Sequence, residues 1–325
     1  MKKVASIIPV HNRKETTLGV LGQLKELDLS ACKGRFEKDL WDEGYSVATI
    51  YEHQIVVVDD GSVDGTGEAI EELFPEVVLL TGDANLWWTG AVNRGVEYCL
   101  SHGYSFIHIM NDDIKFKRNF LKNLLLSWKP NRILGSITLL GGDSGKIYKA
   151  GMMENRRLHP RYLDIFGGVA YSQIDKRKLI PAEGVSGRSM LVDAELFKKV
   201  GLFDEKRFPH GGADQEFCSR ALKKGWEIYV NPASVIYTKP STEKTLAQRL
   251  VGDTRLGFFK SFGCLKYNWY LPLIFWSHFA HRSFFAGLGG FSYNILAMFK
   301  WTVLKFSLGK NTLRRYVEMN LPSRL

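Results

Sequence analysis

The sequence predicts an α/β fold in which a mostly parallel central sheet carries helices on both faces, followed by a helical C-terminal extension. Three observations predict it. Short apolar runs alternate with helix-like amphipathic segments over the first 140 residues, the pattern of strands joined by crossover helices. Two of those runs end in adjacent acids, and open parallel sheets bind ligands beyond the carboxyl ends of their strands. The net charge of +10 is confined to one end: residues 239–325 hold thirteen Lys or Arg against three acids, whereas 1–238 hold 31 of each. A boundary therefore falls near Lys239, between a body (1–238) and a basic extension (239–325).

In chain order, the strand-like runs are Val4 to Ile8, Gln54 to Val58, Val77 to Leu80, Phe106 to Met110 and Ile133 to Leu139. Between them, Glu15 to Leu27, Gly67 to Phe74, Thr89 to Leu100 and Asn119 to Ser127 have the apolar spacing of helices. The opening "MKKVASIIPVHNR" is a strand rather than a signal peptide, because its apolar run is short, holds Pro9 and meets His-Asn-Arg at once. Asp28 to His53 is charged and irregular and reads as a surface insertion. Gly-rich segments after Leu140 read as hairpins or cover, and two more helices follow, Ala194 to Val200 and Asp214 to Lys224. Cys32, Cys99, Cys218 and Cys264 show no metal-ligand spacing, which favours a reducing compartment.

The acidic strand ends are "QIVVVDDGSVDGTG" (Asp59, Asp60, Asp64) and "FIHIMNDDI" (Asn111, Asp112, Asp113). Like charges side by side at a buried strand end repel and resist desolvation, so something must offset them. Two such ends on one rim could hold a hard divalent cation through oxygen ligands, and that cation could hold a diphosphate. The spacing from Asp60 to Glu71 imitates a calcium-binding EF-hand loop, but a β-branched strand precedes it where a helix should. "GTG" lacks the third glycine of a dinucleotide fingerprint. Between the two acidic ends, "GDANLWWTGAVNRG" places Thr89 and Gly90 at a helix start, where free backbone N–H groups can meet a phosphate. Of Trp87 and Trp88, one is expected to pack inward and the other to cover a ligand.

In order, "SIIPVHNR", "VVVDDGSVDGT", "NLWWTGAVNRG", "NDD", "VSGRSMLVDAELFKKVGLFDE" and "GGADQEFCSRALKKGW" resemble the motifs of the family 2 glycosyltransferases with a GT-A fold, over about Val4 to Thr238. The resemblance is to the polysaccharide-assembling, rhamnosyltransferase-like members. It implies an inverting, metal-dependent enzyme that moves a sugar from a UDP- or dTDP-linked donor to a hydroxyl of a glycan or lipid-linked acceptor. It implies donor contacts from Pro9, His11, Asp60, Asn85, Asn93 and Asp112, with Asp60 taking the base imide and Asp112 the ribose. Asp113 would ligate Mg²⁺ or Mn²⁺, Asp214 would be the general base, and Glu216 and Trp88 would touch the acceptor. Two departures stand out: Asn111 occupies the first position of the DxD-type element, and Thr238 stands where the family often has a metal-binding His. His210 is a substitute candidate for that His. Lys239, Lys244 and Arg249 are candidate cations for the departing diphosphate. A non-catalytic, nucleotide-binding relative that scaffolds a membrane complex is the alternative.

The extension interleaves uncharged runs (Tyr267 to Ala280, Ser283 to Phe299) with Trp269, Trp276, Trp301 and flanking Lys and Arg. The runs reach at most the lower edge of the roughly 20 residues a spanning helix needs, and they contain Pro, His and Gly. Interfacial helices on an anionic membrane fit better; packing on the body or on a second subunit of a homo-oligomer is the other reading. Nucleic acid is excluded, since the charges flank apolar runs rather than line a groove. The expected location is cytoplasmic, peripherally attached to the inner face of the cell membrane.

Overall fold

The computed structural model describes residues 2–27, 29, 51–141, 145–154, 162–239, 246–260 and 284–320. Most of the expected insertion, and the run Tyr267 to Ala280, lie outside them. The chain divides into two compact units, Met1–Met153 with Tyr162–Lys239, and Glu154–Arg161 with Pro240–Leu325.

The first unit runs β1 (Lys2–Val10), α1 (Lys14–Lys25), β2 (Tyr51–Asp59), α2 (Thr66–Leu73), β3 (Val78–Thr81), α3 (Trp87–Ser101), β4 (Phe106–Met110), β5 (Ile114–Phe116) and α4 (Phe120–Leu126). It continues with β6 (Arg132–Leu140), β7 (Ile147–Lys149), β8 (Met152–Glu154), β9 (Tyr162–Asp164), β10 (Ile180–Pro181), β11 (Ser189–Asp193), α5 (Ala194–Val200), α6 (Ala213–Lys223) and β12 (Glu227–Thr238). The main sheet has the order β10-β12-β6-β11-β4-β1-β2-β3, with β5 on β12 and β7 on β6. Strands β1 to β4 are mutually parallel, as are β6 and β12. The expected mostly parallel α/β sheet is thus observed, with β11 inserted antiparallel between β4 and β6. That insertion carries a loop from far along the sequence to the carboxyl end of β4.

The apolar runs became strands because both sheet faces are covered: every residue of β4 and of β11 is buried. Val4, Ile8, Val20, Leu21, Phe106, Phe120 and Leu124 share one core, between the sheet and α1 and α4. On the other face α3 approaches β1 so closely that a Cβ on Gly95 would lie 2.5 Å from Ile7 Cγ2. Strand β2 begins at Tyr51, three residues earlier than its apolar run, so the end of the expected insertion is strand. In β12 the register shifts between Asn231 and Val235, a bulge around Pro232. The Asn231 amide supports it, donating to Asn123 O and Ser127 Oγ while its Oδ1 accepts from Ala233 N–H.

A polar chain threads this apolar layer. Ser234 Oγ donates to Phe120 C=O (2.8 Å), which can only accept, and this sets the direction of the rest. Ser136 then donates to Ser234, Ser189 to Ser136, and His108 Nε2–H to Ser189. His108 Nδ1 is left to accept from Ser6 Oγ, which accepts in turn from His53 Nε2–H. With both imidazoles neutral, six side chains on six strands are all satisfied. Burial pushes His108 down to about 3 and His53 to about 4.

The second unit contains α7 (Leu246–Gly252), α8 (Arg255–Lys260), α9 (Phe284–Ser307) and α10 (Lys310–Asn320) around Leu250, Val251, Phe258, Trp301, Leu313 and Val317. Buried Lys305 donates to the carbonyls of Leu250 and Asp253, satisfying carbonyl groups at the end of α7. The opposite side of α9 exposes Leu288, Ile295, Leu296, Phe299, Val303 and Phe306, a stripe roughly 100° wide at 3.6 residues per turn. No helix among the described residues is long and apolar enough to cross a membrane.

Candidate active site

The carboxyl ends of β1, β2 and β4 meet at one rim, because these strands are adjacent and parallel. Beyond β4, Asp112 is buried and Asp113 is 38 % exposed at its side chain. One guanidinium offsets both: Arg13, at the N-cap of α1, lies 3.2 Å from Asp112 Oδ1 and 3.6 Å from Asp113 Oδ2. Thr17, one turn into α1, donates to Asp112 Oδ2 (3.2 Å). Burial nevertheless pushes the Asp112 carboxyl up to about 6, with Asp113 adding to the rise and Arg13 and Thr17 opposing it. Neither Arg13 nor Thr17 had been assigned a role from sequence. Arg13 closes the "HNR" turn, and Thr17 follows it at i+4 on the same helix face, which is the signal that could have found them.

Beyond β2, Asp60 is buried, and its carboxylate accepts the backbone N–H groups of Leu86 (3.2 Å) and Trp87 (2.9 Å). It thereby shapes the start of α3 and holds Trp87 at φ +56°. His11 Nδ1–H donates to Asp60 C=O (2.7 Å), which ties the exposed imidazole to the same rim. Pro9 sits one turn of pleat below, in register with Val58. Asn85 is exposed in the loop before α3 and folds onto Asp83, accepting none of the rim groups. Asn93 is buried, its Nδ2 donates to Phe203 C=O and Glu205 Oε2, and its Oδ1 accepts Phe203 N–H, so its amide ties α3 to the 203–205 loop.

Asp214 lies in the first turn of α6, where Oδ2 accepts Gly187 N–H (3.1 Å) and Oδ1 accepts Gln215 N–H (2.9 Å). A continuous set of contacts joins it to the acidic end of β4. Gly187 lies against the Trp88 indole so closely that a Cβ there would fall 2.4 Å from Cζ2. Trp88 Nε1–H in turn donates to Asn111 Oδ1 (3.0 Å). Trp88 is thus the inward member of the tryptophan pair, and Trp87 is the exposed one, edge-on to His210 at 5.9 Å. Glu216, one turn on from Gly212, is buried, and both its oxygens are held by Arg220, which also donates to the carbonyls of Val200 and Leu202. With i and i+4 paired on one helix, this buried carboxylate fastens α6 to the end of α5 through Arg220.

Thr238 pairs with Ile114, directly after Asp113, so the residue in the family's His position does sit beside the acidic pair. Among the described residues no three His, Cys, Asp or Glu side chains cluster as a metal cage. Asp113, open at the rim beside a buried carboxylate, instead fits a Mg²⁺ or Mn²⁺ ion held by one or two carboxylates together with a diphosphate. Of the cations considered for the leaving group, Lys239 is exposed at the end of β12, Lys244 lies outside the described residues, and Arg249 belongs to the second unit, paired with Asp253.

The model of the family described as Glycosyl transferase family 2 matches residues 6–201. N-acetylglucosaminyl-diphospho-decaprenol L-rhamnosyltransferase from Mycobacterium tuberculosis, in strains CDC 1551 / Oshkosh and ATCC 25618 / H37Rv, is 28% identical over 218 residues, covering 60% of this chain and 69% of the relative. Among solved structures, GalNAc-T7 with UDP, GalNAc and Mn2+ is similar with a TM-score of 0.54 and 14% identity, over 91% of this chain and 58% of that one. That likeness is one of fold.

Proposed function

The chain belongs to glycosyl transferase family 2, and from that premise we propose that it is a metal-dependent, inverting glycosyltransferase of cell-surface polysaccharide assembly. The donor is a UDP- or dTDP-linked hexose or rhamnose, and the acceptor is a hydroxyl of a glycan or lipid-linked sugar. The name of the mycobacterial relative, which specifies a rhamnosyl group and a diphospholipid-linked sugar, supports both choices. The observation that carries the reading is the contact set linking the Asp112–Asp113 pair, through Asn111, Trp88 and Gly187, to Asp214. It joins the acidic end of β4 to a second carboxylate by direct contacts, which supports reading them as one site.

Asp60 still has acceptor capacity on each carboxylate oxygen beyond the Leu86 and Trp87 amides, enough for the imide N–H of a base. Asp112 would take a ribose hydroxyl. Asp113 would hold a divalent cation, which supplies charge neutralisation at the diphosphate. Two backbone N–H groups fix the Asp214 carboxylate, so its contribution is positioning. It takes the proton of the acceptor hydroxyl as the oxygen bonds to the anomeric carbon. The bond from that carbon to the phosphate oxygen breaks on the opposite side, which inverts the configuration. Trp88, anchored at Asn111, would wall the space between donor and acceptor.

The second unit is proposed to rest on an anionic membrane at the cytoplasmic face, through the apolar stripe of α9 and the basic residues around it.

Thermal shift with UDP, dTDP and GDP, each with and without Mn²⁺, tests the donor site. One nucleotide should raise the melting temperature, and more so with Mn²⁺, and Asp113→Ala should abolish the Mn²⁺-dependent part. A response to Mn²⁺ that survives Asp113→Ala contradicts the metal assignment.

A further inference from the structure

Arg188 follows Gly187 in the loop that enters β11. The antiparallel register sets Ser189 opposite Met110, so Arg188 stands opposite Asn111, one residue from Asp112. Its guanidinium lies over the Tyr148 ring of β7, 5.7 Å from the centroid. Its Nε is sealed from solvent with no hydrogen-bond partner, and among the described residues the side chain makes no ion pair. Arg132 provides the contrast. Its Nε is also sealed, but its terminal nitrogens donate to Ser127 C=O and Glu227.

An aromatic face attracts a cation but accepts no strong N–H hydrogen bond, so it leaves the Nε–H unanswered. Arg188 is half-buried, and leaving its sealed Nε–H unpaired costs stability unless an acceptor completes it. The surroundings select the kind of anion. The acids nearest this loop already have closer partners, Asp112 and Asp113 in Arg13 and Asp214 in two backbone amides. A flat fork of donors beside an aromatic wall matches a phosphate oxyanion with two oxygens in one plane.

We propose that Arg188 is a phosphate-binding residue of this site, receiving an oxyanion of a diphosphate. Resting on the functional reading above, the inference supplies the cation that Lys239, Lys244 and Arg249 do not provide. The diphosphate has two possible sources: the donor, whose β-phosphate leaves as the glycosidic bond forms, or a lipid-linked acceptor, whose diphosphate would be anchored there. In the first case Arg188 neutralises leaving-group charge. In the second it fixes where the acceptor hydroxyl reaches.

The test compares wild type with Arg188→Gln and Arg188→Lys, each shown to be folded by a cooperative melting transition. One arm titrates UDP, dTDP and GDP against their monophosphates in Mg²⁺. The other titrates a short polyprenyl diphosphate against its monophosphate. If the donor is the source, Arg188→Gln lowers nucleoside diphosphate affinity by roughly tenfold or more and leaves monophosphate affinity unchanged. If the acceptor is the source, the same loss appears in the polyprenyl arm alone. Arg188→Lys, which keeps charge without the fork, falls between. Equal preference for diphosphate in wild type and Arg188→Gln in both arms overturns the proposal. If wild type binds no nucleotide at all, the functional reading fails first, so the two failures are distinguishable.

Discussion

Asp112 is buried, Asp113 beside it is partly open, and a single half-exposed guanidinium serves them both. Arg13 therefore competes with any divalent cation for the same oxygens. Such partly exposed pairs contribute at most about 1 kcal/mol, so the competition is modest. Arg13→Gln should tighten Mn²⁺ binding about two- to fivefold in the absence of nucleotide, read by electron paramagnetic resonance of free Mn²⁺. Arg13→Lys should stay near wild type. Mn²⁺ affinity unchanged by Arg13→Gln would mean that the ion pair does not guard the site. The individual acids on this rim were legible in sequence because a carboxylate pair after an apolar run has few uses. Their partners were not. Arg13 lies 99 residues before Asp112 in the chain, and no local pattern reports a contact that the parallel pairing of β1 with β4 creates. The partners of Asn93 and Glu216 were equally hidden: Asn93 bonds to the backbone of Phe203 and to Glu205, and Glu216 to Arg220.

Among elements, β1, β2, β4 and β6 could be read from the sequence because strands buried on both faces are continuous apolar runs, and β3, a half-buried edge strand, because its short apolar run falls between two helical segments. The position of β11 was hidden, since a run of apolar residues says that a strand exists and not which neighbours it takes. That antiparallel placement is what sets Gly187 on Trp88 and Arg188 opposite Asn111. Helix α9 poses a different problem, because it is apolar on two sides. One side packs Met298, Trp301 and Lys305 inward, and the other leaves Leu296 and Phe299 more than 60 % exposed. Exposure of that kind on a long helix in a basic segment fits a lipid interface. Leu296→Asp with Phe299→Asp should preserve the melting temperature and lower co-sedimentation with phosphatidylserine-containing vesicles at least severalfold. Retention of full vesicle binding by the double variant would remove α9 from the interface.

Across the whole molecule, the polar chain from His53 to Phe120 makes stability depend on pH. Both imidazoles have folded values depressed to about 4 and about 3, against an ordinary value near 6.5. Below 6.5 the unfolded chain takes up protons that the native one refuses, so their contribution is complete above that pH and is lost as pH falls toward 4 and then 3. The melting temperature should therefore decline steeply from pH 6.5 to 4. In His108→Asn the slope over that window should be shallower, whatever the absolute stability of the variant. An identical slope would show that these histidines do not control acid unfolding.

We propose Asp214 as the base of a glycosyl transfer whose donor binds at the Asp60–Asp112–Asp113 rim. The direct measurement is nucleotide binding and sugar transfer on the same preparations of wild type and Asp214→Asn, with the donor identified by thermal shift. Asp214→Asn should bind the nucleotide with unchanged affinity and lose transfer by roughly 10²- to 10⁴-fold. Transfer at the wild-type rate, or a wild type that binds nucleotide and transfers nothing to any acceptor, would contradict the account.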